Sequence, residues 1–132
     1  MSQKFTILFD LDGTLVNTAP DLMIAHNHVM KKYGYGERKL SDIRKLAGRG
    51  SKVMLTRSMN ELAELQGKAK KNDNVIDQMT KDFIDYYSKN IVAESTLKKG
   101  VLDFLNWCKK NQFKWESVQI NKSVYLLIYL KK

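Results

Sequence analysis

Cysteine, proline and histidine are scarce in this chain, whose 132 residues include one cysteine, one proline and two histidines. The single cysteine, Cys108, excludes an internal disulfide and is typical of a reducing compartment, so we expect a cytoplasmic protein. The histidines, His26 and His28, stand two apart in a helical pattern and therefore face different sides of the helix. This spacing argues against a shared metal and predicts surface or packing roles.

Long apolar runs are missing as well. No stretch approaches the roughly 20 apolar residues that span a bilayer. The run Ile7-Leu8-Phe9 is too short for a secretory signal and is interrupted by Asp10. We therefore expect no membrane partner.

Acidic side chains are outnumbered, with 14 Asp and Glu against 23 Lys and Arg, which gives a formal net charge of +9. A basic protein can attract nucleic acid or anionic substrates. The lysines, however, form dispersed pairs such as Lys98-Lys99 and Lys109-Lys110, without interleaved aromatic residues. This pattern indicates solvated faces and predicts no nucleic-acid partner.

An apolar run that ends in two carboxylates is the most informative stretch of the chain. Residues 5–9 are apolar and β-prone, and Asp10, Asp12 and Gly13 follow directly. Such a run predicts a strand buried on both faces of a parallel sheet, and therefore an α/β fold. Open α/β sheets bind ligands at the carboxyl ends of their strands, where these aspartates stand. Gly13 permits a turn that residues with a Cβ resist.

Two aspartates at this spacing are suited to phosphoryl transfer. One carboxylate can attack phosphorus and form an acyl-phosphate, while the other protonates the leaving oxygen and later deprotonates water. Mg²⁺ between carboxylate and phosphate oxygens would relieve the repulsion between the anions. A calcium-binding EF-hand loop fits poorly, because Leu15 stands where that loop needs glycine and a strand precedes. A plain acidic turn is the remaining alternative.

Helical patterns occupy most of the chain behind this strand. The loop Gly48-Arg49-Gly50 allows two interpretations, a substrate-facing loop or an ordinary connection between helices. A further helix follows Gly100, and we expect Leu102, Leu105 and Cys108 to face inward. The four earlier helices are predicted from about Thr18 to Gly34, from Ser41 to Leu46, from Ser51 towards Gly67 and from about Asp73 to Lys89.

The run from Asp10 to Val16, DLDGTLV, followed by Thr18, Pro20 and Asp21, resembles the first motif of the haloacid dehalogenase (HAD) superfamily. Within that superfamily the sequence is most similar to phosphoglycolate phosphatases and related small phosphomonoesterases. The resemblance implies a HAD-like Rossmannoid core with an inserted α-helical cap. Residues 1–16 and 95–132 would form a partial core, with the first strand and the start of the second, and residues 17–94 the cap.

The resemblance also implies an activity, a Mg²⁺-dependent hydrolysis of phosphomonoesters through an aspartyl-phosphate. Asp10 would be the nucleophile, Asp12 the general acid and base, and both residues would hold the metal. The implied substrate is a small phosphorylated metabolite, with 2-phosphoglycolate as the first choice. The residues implied to bind it are Gly13, Thr14, Arg49, Asn121 and Lys122.

The sequence departs from the family pattern at the second motif, a buried strand that ends in Thr or Ser and is often followed by Asn-Lys. Asn121 and Lys122 match, but Ile120 occupies the hydroxyl position, and Glu116 and Gln119 interrupt the apolar run. A disturbed reading frame within residues 114–121 is one hypothesis for this departure.

The lysine and acidic motifs that complete the family's site would lie beyond Lys132. We therefore expect weak or absent activity from this chain by itself. The alternative function is an inactive fragment or an interaction module that needs a second polypeptide to supply the missing core motifs.

Overall fold

The computed structural model describes residues 6–90 and 93–118. Its mixed α/β architecture confirms the predicted fold class. No helix within these residues is long and apolar enough to cross a bilayer. The elements are β1 (Thr6–Asp10), β2 (Val16–Asn17), α1 (Ala19–Lys32), α2 (Leu40–Leu46), α3 (Ser51–Leu65), α4 (Asp73–Lys89), β3 (Thr96–Leu97), α5 (Val101–Lys110) and β4 (Lys114–Val118).

The chain folds into two compact units. One contains the residues up to Thr18 and those from Ser95 onward, and the other, the helical unit, is Ala19–Glu94. These boundaries lie close to those predicted for a partial core and a cap, but the assignment of those roles stays a prediction.

All four strands found within residues 6–90 and 93–118 belong to the first unit. β1 and β4 pair in parallel, with Thr6 opposite Lys114 and Asp10 opposite Val118. β2 and β3 form a short antiparallel ribbon. Within this unit α5 buries Val101, Leu105 and Cys108, and its Phe104 ring meets the Phe9 ring edge-on at 5.7 Å.

Burial of β1 on both faces, which the sequence predicted, is wrong. Leu8 is 62% exposed, and the strand alternates between exposed and half-buried residues. Among the described residues β1 pairs only with β4, and a strand is buried on both faces only when layers cover both. The inward position predicted for Leu102 is also wrong, because the buried stripe of α5 follows Val101, Leu105 and Cys108 and leaves Leu102 51% exposed.

The helical unit has a continuous hydrophobic core. Helices α1, α3 and α4 each bury one apolar stripe, as their periodicity predicts. On α4 the fully buried positions are Ile76, Met79 and Phe83, whereas Val75, Tyr86 and Tyr87 are only partly buried. The core consists of Ala25, Val29, Met30, Tyr35, Leu46, Met54, Leu55, Met59, Leu62, Ala63, Ile76, Met79 and Phe83.

The helix end at Gly34, predicted from the sequence, is confirmed. Gly34 adopts a left-handed φ of +83°, and the amide of Tyr35 donates to the Met30 carbonyl at 2.8 Å. This is a Schellman motif, which satisfies carbonyls that the end of a helix leaves without partners. The same pattern ends α5, where the amide of Phe113 donates to the Cys108 carbonyl at 2.9 Å. There the left-handed residue is Gln112, with φ of +59°.

We expect Gln112→Gly to stabilise the chain by about 1 kcal/mol, because a side chain with a Cβ is strained in the left-handed region. Urea unfolding followed by circular dichroism measures the change. Gln112→Ala is the matched control, since it removes the side chain but keeps the Cβ, and it should leave stability nearly unchanged. Equal stabilisation by Ala and Gly would contradict the explanation from backbone strain.

A buried hydrogen-bond network joins α1, the α1–α2 connection and α3 within the helical unit. Asn27 Nδ2 donates to the Arg38 carbonyl and Asn27 Oδ1 accepts from the Arg38 amide, both at 2.9 Å, which fixes the orientation of the Asn27 amide group. Asn27 Oδ1 lies 2.9 Å from His26 Nδ1, so this nitrogen carries the proton. In the neutral ring His26 Nε2 then accepts from the Ser58 hydroxyl at 2.8 Å, and Ser58 Oγ accepts from Arg38 Nε at 3.1 Å.

The surroundings of His26 favour a neutral imidazole. His26 is fully buried, and desolvation lowers its pKa from the ordinary value of 6.5; the positive charge of Arg38 adds to the lowering, while the hydrogen bond with Asn27 opposes it. The packing role predicted for His26 is therefore confirmed.

Stability should fall as the pH falls below 6.5, the ordinary pKa of histidine. The unfolded chain takes up a proton there, whereas folded His26 takes one up only at lower pH. The contribution of neutral His26 is thus complete above the unfolded pKa and is lost as the pH falls towards the folded pKa. Urea midpoints at about pH 8 and about pH 5 measure it. His26→Gln should reduce the pH dependence and His28→Gln should keep it; an unchanged dependence in His26→Gln would contradict this assignment.

Candidate active site

The loop after β1 is closed by hydrogen bonds to one carbonyl. The amides of Thr14, Leu15 and Val16 converge on the Leu11 carbonyl oxygen, at 3.2, 3.0 and 3.1 Å. In return, the Gly13 amide donates to the Val16 carbonyl at 2.8 Å. These bonds form a tight turn directly behind the last residue of β1, Asp10.

The apolar residues of this loop are buried, whereas its polar residues and its glycine are exposed. Leu11 and Val16 are fully buried and Leu15 nearly so, which fixes the loop in the first unit. The residues between and before them face solvent, and these are Asp10, Asp12, Gly13 and Thr14. The buried apolar side chains thus fix the backbone of the loop, and the side chains of Asp10, Asp12 and Thr14 are left accessible to solvent.

Gly13 occupies a conformation that favours glycine. Its φ is +76°, and a Cβ added there would meet no atom within 4 Å. A substitution at Gly13 would therefore strain the backbone without a steric clash, and the turn that presents Asp12 depends on this residue.

Thr14 touches the predicted nucleophile. Its hydroxyl donates to Asp10 Oδ2 at 3.2 Å. This bond can orient the Asp10 carboxylate, and the substrate-binding role of Thr14 stays a prediction.

The carboxylates lie at the carboxyl end of a parallel strand pair. Asp10 stands opposite Val118, the last residue of β4, so both strands end at the same edge. Ligands of open α/β sheets bind at this edge. Asn121 and Lys122, predicted to bind substrate, follow β4 in sequence but lie outside the described residues, and their role stays a prediction.

Asp10 and Asp12 are the candidate metal ligands. Mg²⁺ usually retains several waters and is held by one or two carboxylates together with substrate phosphate. The exposed Asp10 carboxylate together with the backbone carbonyl of Asp12 would fit this requirement. Within residues 6–90 and 93–118 no group of three or more His, Cys, Asp or Glu could hold an ion.

Arg49, also predicted to contact substrate, belongs to the helical unit. It is exposed between α2 and α3, and its neighbours Gly48 and Gly50 have left-handed φ values of +96° and +88°. Its two interpretations, a substrate-facing cation and part of an ordinary connection, both stay predictions.

Sequence reasoning missed the contact made by Asp21. Its Oδ1 accepts from the Glu94 amide at 2.8 Å, and the residue is only 3% exposed. An acidic residue in a first helical turn is common, so no local signal pointed to a partner 73 positions away.

A family model matches most of the chain. The family model described as haloacid dehalogenase-like hydrolase matches residues 7–118, which include nearly all of β1, the Asp10–Val16 loop and β4. The chain belongs to the haloacid dehalogenase-like hydrolases, which confirms the resemblance drawn from the sequence.

Individual relatives carry a more specific name. A phosphoglycolate phosphatase of Caulobacter vibrioides is 35% identical over 101 residues, covering 76% of this chain and 40% of the relative. A phosphoglycolate phosphatase of Colwellia psychrerythraea is 29% identical, and the match covers 96% of this chain and 55% of the relative. A crystal structure of a predicted phosphoglycolate phosphatase from Haemophilus somnus 129PT superposes with a TM-score of 0.80 at 24% identity. The superposition covers 93% of this chain and 55% of that chain, and it supports the fold. The chain spans about half the length of the relatives it matches.

Proposed function

We propose that this chain carries the nucleophile-bearing part of a Mg²⁺-dependent phosphomonoester hydrolase. The observation that carries the proposal is the pair Asp10 and Asp12, solvent-facing on a turn whose backbone is closed by four hydrogen bonds at the carboxyl end of β1. The proposed substrate is a small phosphorylated metabolite. The names of the relatives make 2-phosphoglycolate the first candidate.

In the proposed mechanism Asp10 is the nucleophile. A carboxylate oxygen of Asp10 attacks phosphorus, and the bond from phosphorus to the ester oxygen breaks on the opposite side. Asp12 donates a proton to that leaving oxygen, which departs as an alcohol. Asp12 then takes a proton from water that attacks the aspartyl-phosphate, so inorganic phosphate is released and Asp10 is regenerated.

Other groups of the loop assist by position. The Thr14 hydroxyl orients Asp10 through its bond to Oδ2. The amides of Gly13 and Thr14 already donate hydrogen bonds within the loop. In this proposal Gly13 therefore contributes to substrate binding through the shape of the turn, and Thr14 through its side chain. The Asp10 carboxylate and the Asp12 backbone carbonyl would hold Mg²⁺, which would supply positive charge to offset that of the phosphoryl group.

Phosphate release from 2-phosphoglycolate should depend on added Mg²⁺. The expected result is slow release with Mg²⁺ that falls to background when EDTA removes the metal, because the Asp10 carboxylate and a phosphate dianion repel one another without it. A colorimetric phosphate assay measures the rate, and excess Mg²⁺ added after EDTA should restore it. Release that is equal with and without metal would contradict the proposal.

The exposed apolar surface of the first unit favours a second candidate, an interaction module completed by another polypeptide. Leu8, Leu102, Phe104 and Trp107 are each between 41% and 62% exposed. Scattered exposed apolar residues are ordinary, but a set of this size in one small unit is typical of a contact surface. In this alternative the partner supplies the missing core motifs.

Complementation distinguishes the two candidates. The chain is mixed with a polypeptide that contains only the part of the Colwellia relative it does not match, and complex formation is followed by size-exclusion chromatography. A stable complex whose phosphatase activity exceeds that of either component would favour the interaction module. Activity of the chain alone, unchanged by the addition, would favour a self-sufficient enzyme.

A further inference from the structure

The sequence contains a single Asp-Gly pair, Asp12-Gly13, and no Asn-Gly pair. In such a pair the backbone nitrogen of the glycine can attack the side-chain carboxyl carbon of the aspartate and close a five-membered succinimide ring. Glycine favours this attack because it has no Cβ to obstruct the approach. Both residues are exposed, so water can reach the ring. The chain thus has one pair at which spontaneous rearrangement to isoaspartate is chemically favoured.

The rearrangement has two steps and needs no reagent besides water. In the first step the Gly13 nitrogen loses its proton and bonds to Asp12 Cγ, and an oxygen of the carboxyl group leaves as water. In the second step water adds to one of the two ring carbonyl carbons, and the bond from that carbon to nitrogen breaks. Cleavage at Cγ restores aspartate. Cleavage at the backbone carbonyl carbon gives isoaspartate, in which the main chain runs through Cβ and Cγ and is one carbon longer.

The folded turn engages the nitrogen that would attack. The Gly13 amide donates to the Val16 carbonyl at 2.8 Å, within the ordinary range of a hydrogen bond. An amide nitrogen that keeps its proton is a poor nucleophile, because its lone pair is delocalised into the carbonyl group. Attack on Asp12 therefore requires this proton to leave, and the bond to Val16 holds the proton in place.

Buried neighbours keep that bond formed. Leu11 and Val16, which stand on either side of the pair in sequence, are both fully buried. The Val16 amide donates to the Leu11 carbonyl at 3.1 Å, and Asp12 and Val16 form a β-bridge. Because these contacts tie the two ends of the pair together, the peptide between Asp12 and Gly13 can rotate freely only when the turn opens.

We infer that Asp12-Gly13 is a latent isoaspartate site, which the bond between the Gly13 amide and the Val16 carbonyl protects in the folded chain. Isoaspartate at position 12 would insert one backbone carbon into the turn and displace the carboxylate. Opening of the turn is therefore a route by which the chain ages. This inference rests on the backbone bonds of the turn and not on the proposed phosphatase activity.

Incubation of the full chain in heavy-oxygen water at neutral pH, without substrate, tests the inference. Each passage through the succinimide places one heavy oxygen in residue 12, whichever bond of the ring opens, and fragment ions in mass spectrometry locate that label. We expect label to accumulate at Asp12 about tenfold or more faster in guanidinium chloride than in the folded chain, because the unfolded chain lacks the protecting bond. Asp12→Glu is the chemical control. It keeps a carboxylate but would need a six-membered ring, and it should stay unlabelled in both conditions.

A variant that weakens the buried anchor tests whether the turn supplies the protection. Val16→Ala removes buried methyl groups but keeps the carbonyl that accepts from Gly13, so the turn should open more often. The rate of labelling at Asp12 and the hydrogen-exchange rate of the Gly13 amide should then rise by the same factor, whether the turn opens alone or with its whole unit. Val53→Ala, the same substitution at a position of α3 that is 41% exposed, is the matched control and should change neither rate.

Three results would overturn the inference. Equal labelling in the folded and the unfolded chain would show that the turn gives no protection. No label at Asp12 in guanidinium chloride would show that the pair is not reactive. Faster exchange of the Gly13 amide in Val16→Ala without faster labelling would show that the bond to Val16 does not control the reaction.

Discussion

Asp10→Asn is expected to lower phosphate release by about 10³-fold or more, since an amide has no carboxylate oxygen to attack phosphorus. Asparagine has the shape of aspartate, and its carbonyl oxygen can still accept from the Thr14 hydroxyl, which bonds to Asp10 at 3.2 Å. The turn should therefore keep its structure while its nucleophile is lost. The rate of phosphate release from 2-phosphoglycolate with Mg²⁺ measures the effect.

The matched control for this variant is Asp103→Asn, which neutralises an exposed aspartate of α5 in the same unit. It should retain the rate of the native chain, because the loss of one negative charge is the same but no reacting group is removed. If the native chain alone releases too little phosphate to compare, the same variants are measured in the complemented mixture. Turnover by Asp10→Asn within a few fold of the native rate would refute the role of Asp10.

Phe83→Ala is expected to lower the free energy of unfolding by about 3–5 kcal/mol. Phe83 is only 2% exposed in the core of the helical unit, and its ring stacks on Tyr87 with centroids 5.5 Å apart. Removal of the ring loses its burial and leaves a cavity that neighbouring side chains fill only in part. Because small domains are stable by only about 5–15 kcal/mol, this one change should remove a large share of the stability.

Urea unfolding followed by helical circular dichroism measures this loss. The adjacent residue supplies the control, since Ile84 lies on the same helix but is 41% exposed. Ile84→Ala should cost much less, because less apolar surface is returned to water. Similar losses in the two variants would show that α4 is not buried along the Met79–Phe83 stripe.

Local signals made the Asp10–Val16 turn and the helix ends predictable. The apolar run, the two aspartates and Gly13 lie within a few residues, and their chemistry depends on short-range geometry that the sequence contains. Gly34 ends α1 for the same reason, since a left-handed residue is a local requirement. The family resemblance rested on these same residues.

The features that could not be predicted from the sequence depend on tertiary contacts. The exposure of Leu8 depends on which strands and helices cover β1, and an apolar run carries no information on that. The partners of Asp21 and His26, which are Glu94 and Ser58, lie 73 and 32 positions away. Neither partner follows from periodicity or spacing.

The central claim, that Asp10 is the nucleophile, is tested most directly by a search for the covalent intermediate. Asp12→Ala removes the proposed acid and base. With p-nitrophenyl phosphate, whose leaving group departs without a proton, the aspartyl-phosphate should still form and should then accumulate, because no base activates the attacking water. After incubation with Mg²⁺ and this substrate and an acid quench, mass spectrometry should find one phosphoryl group on the peptide that contains Asp10, and none in the double variant that also carries Asp10→Asn. Phosphate release by the native chain with no phosphoryl group on Asp10, or with the group on another residue, would contradict the account.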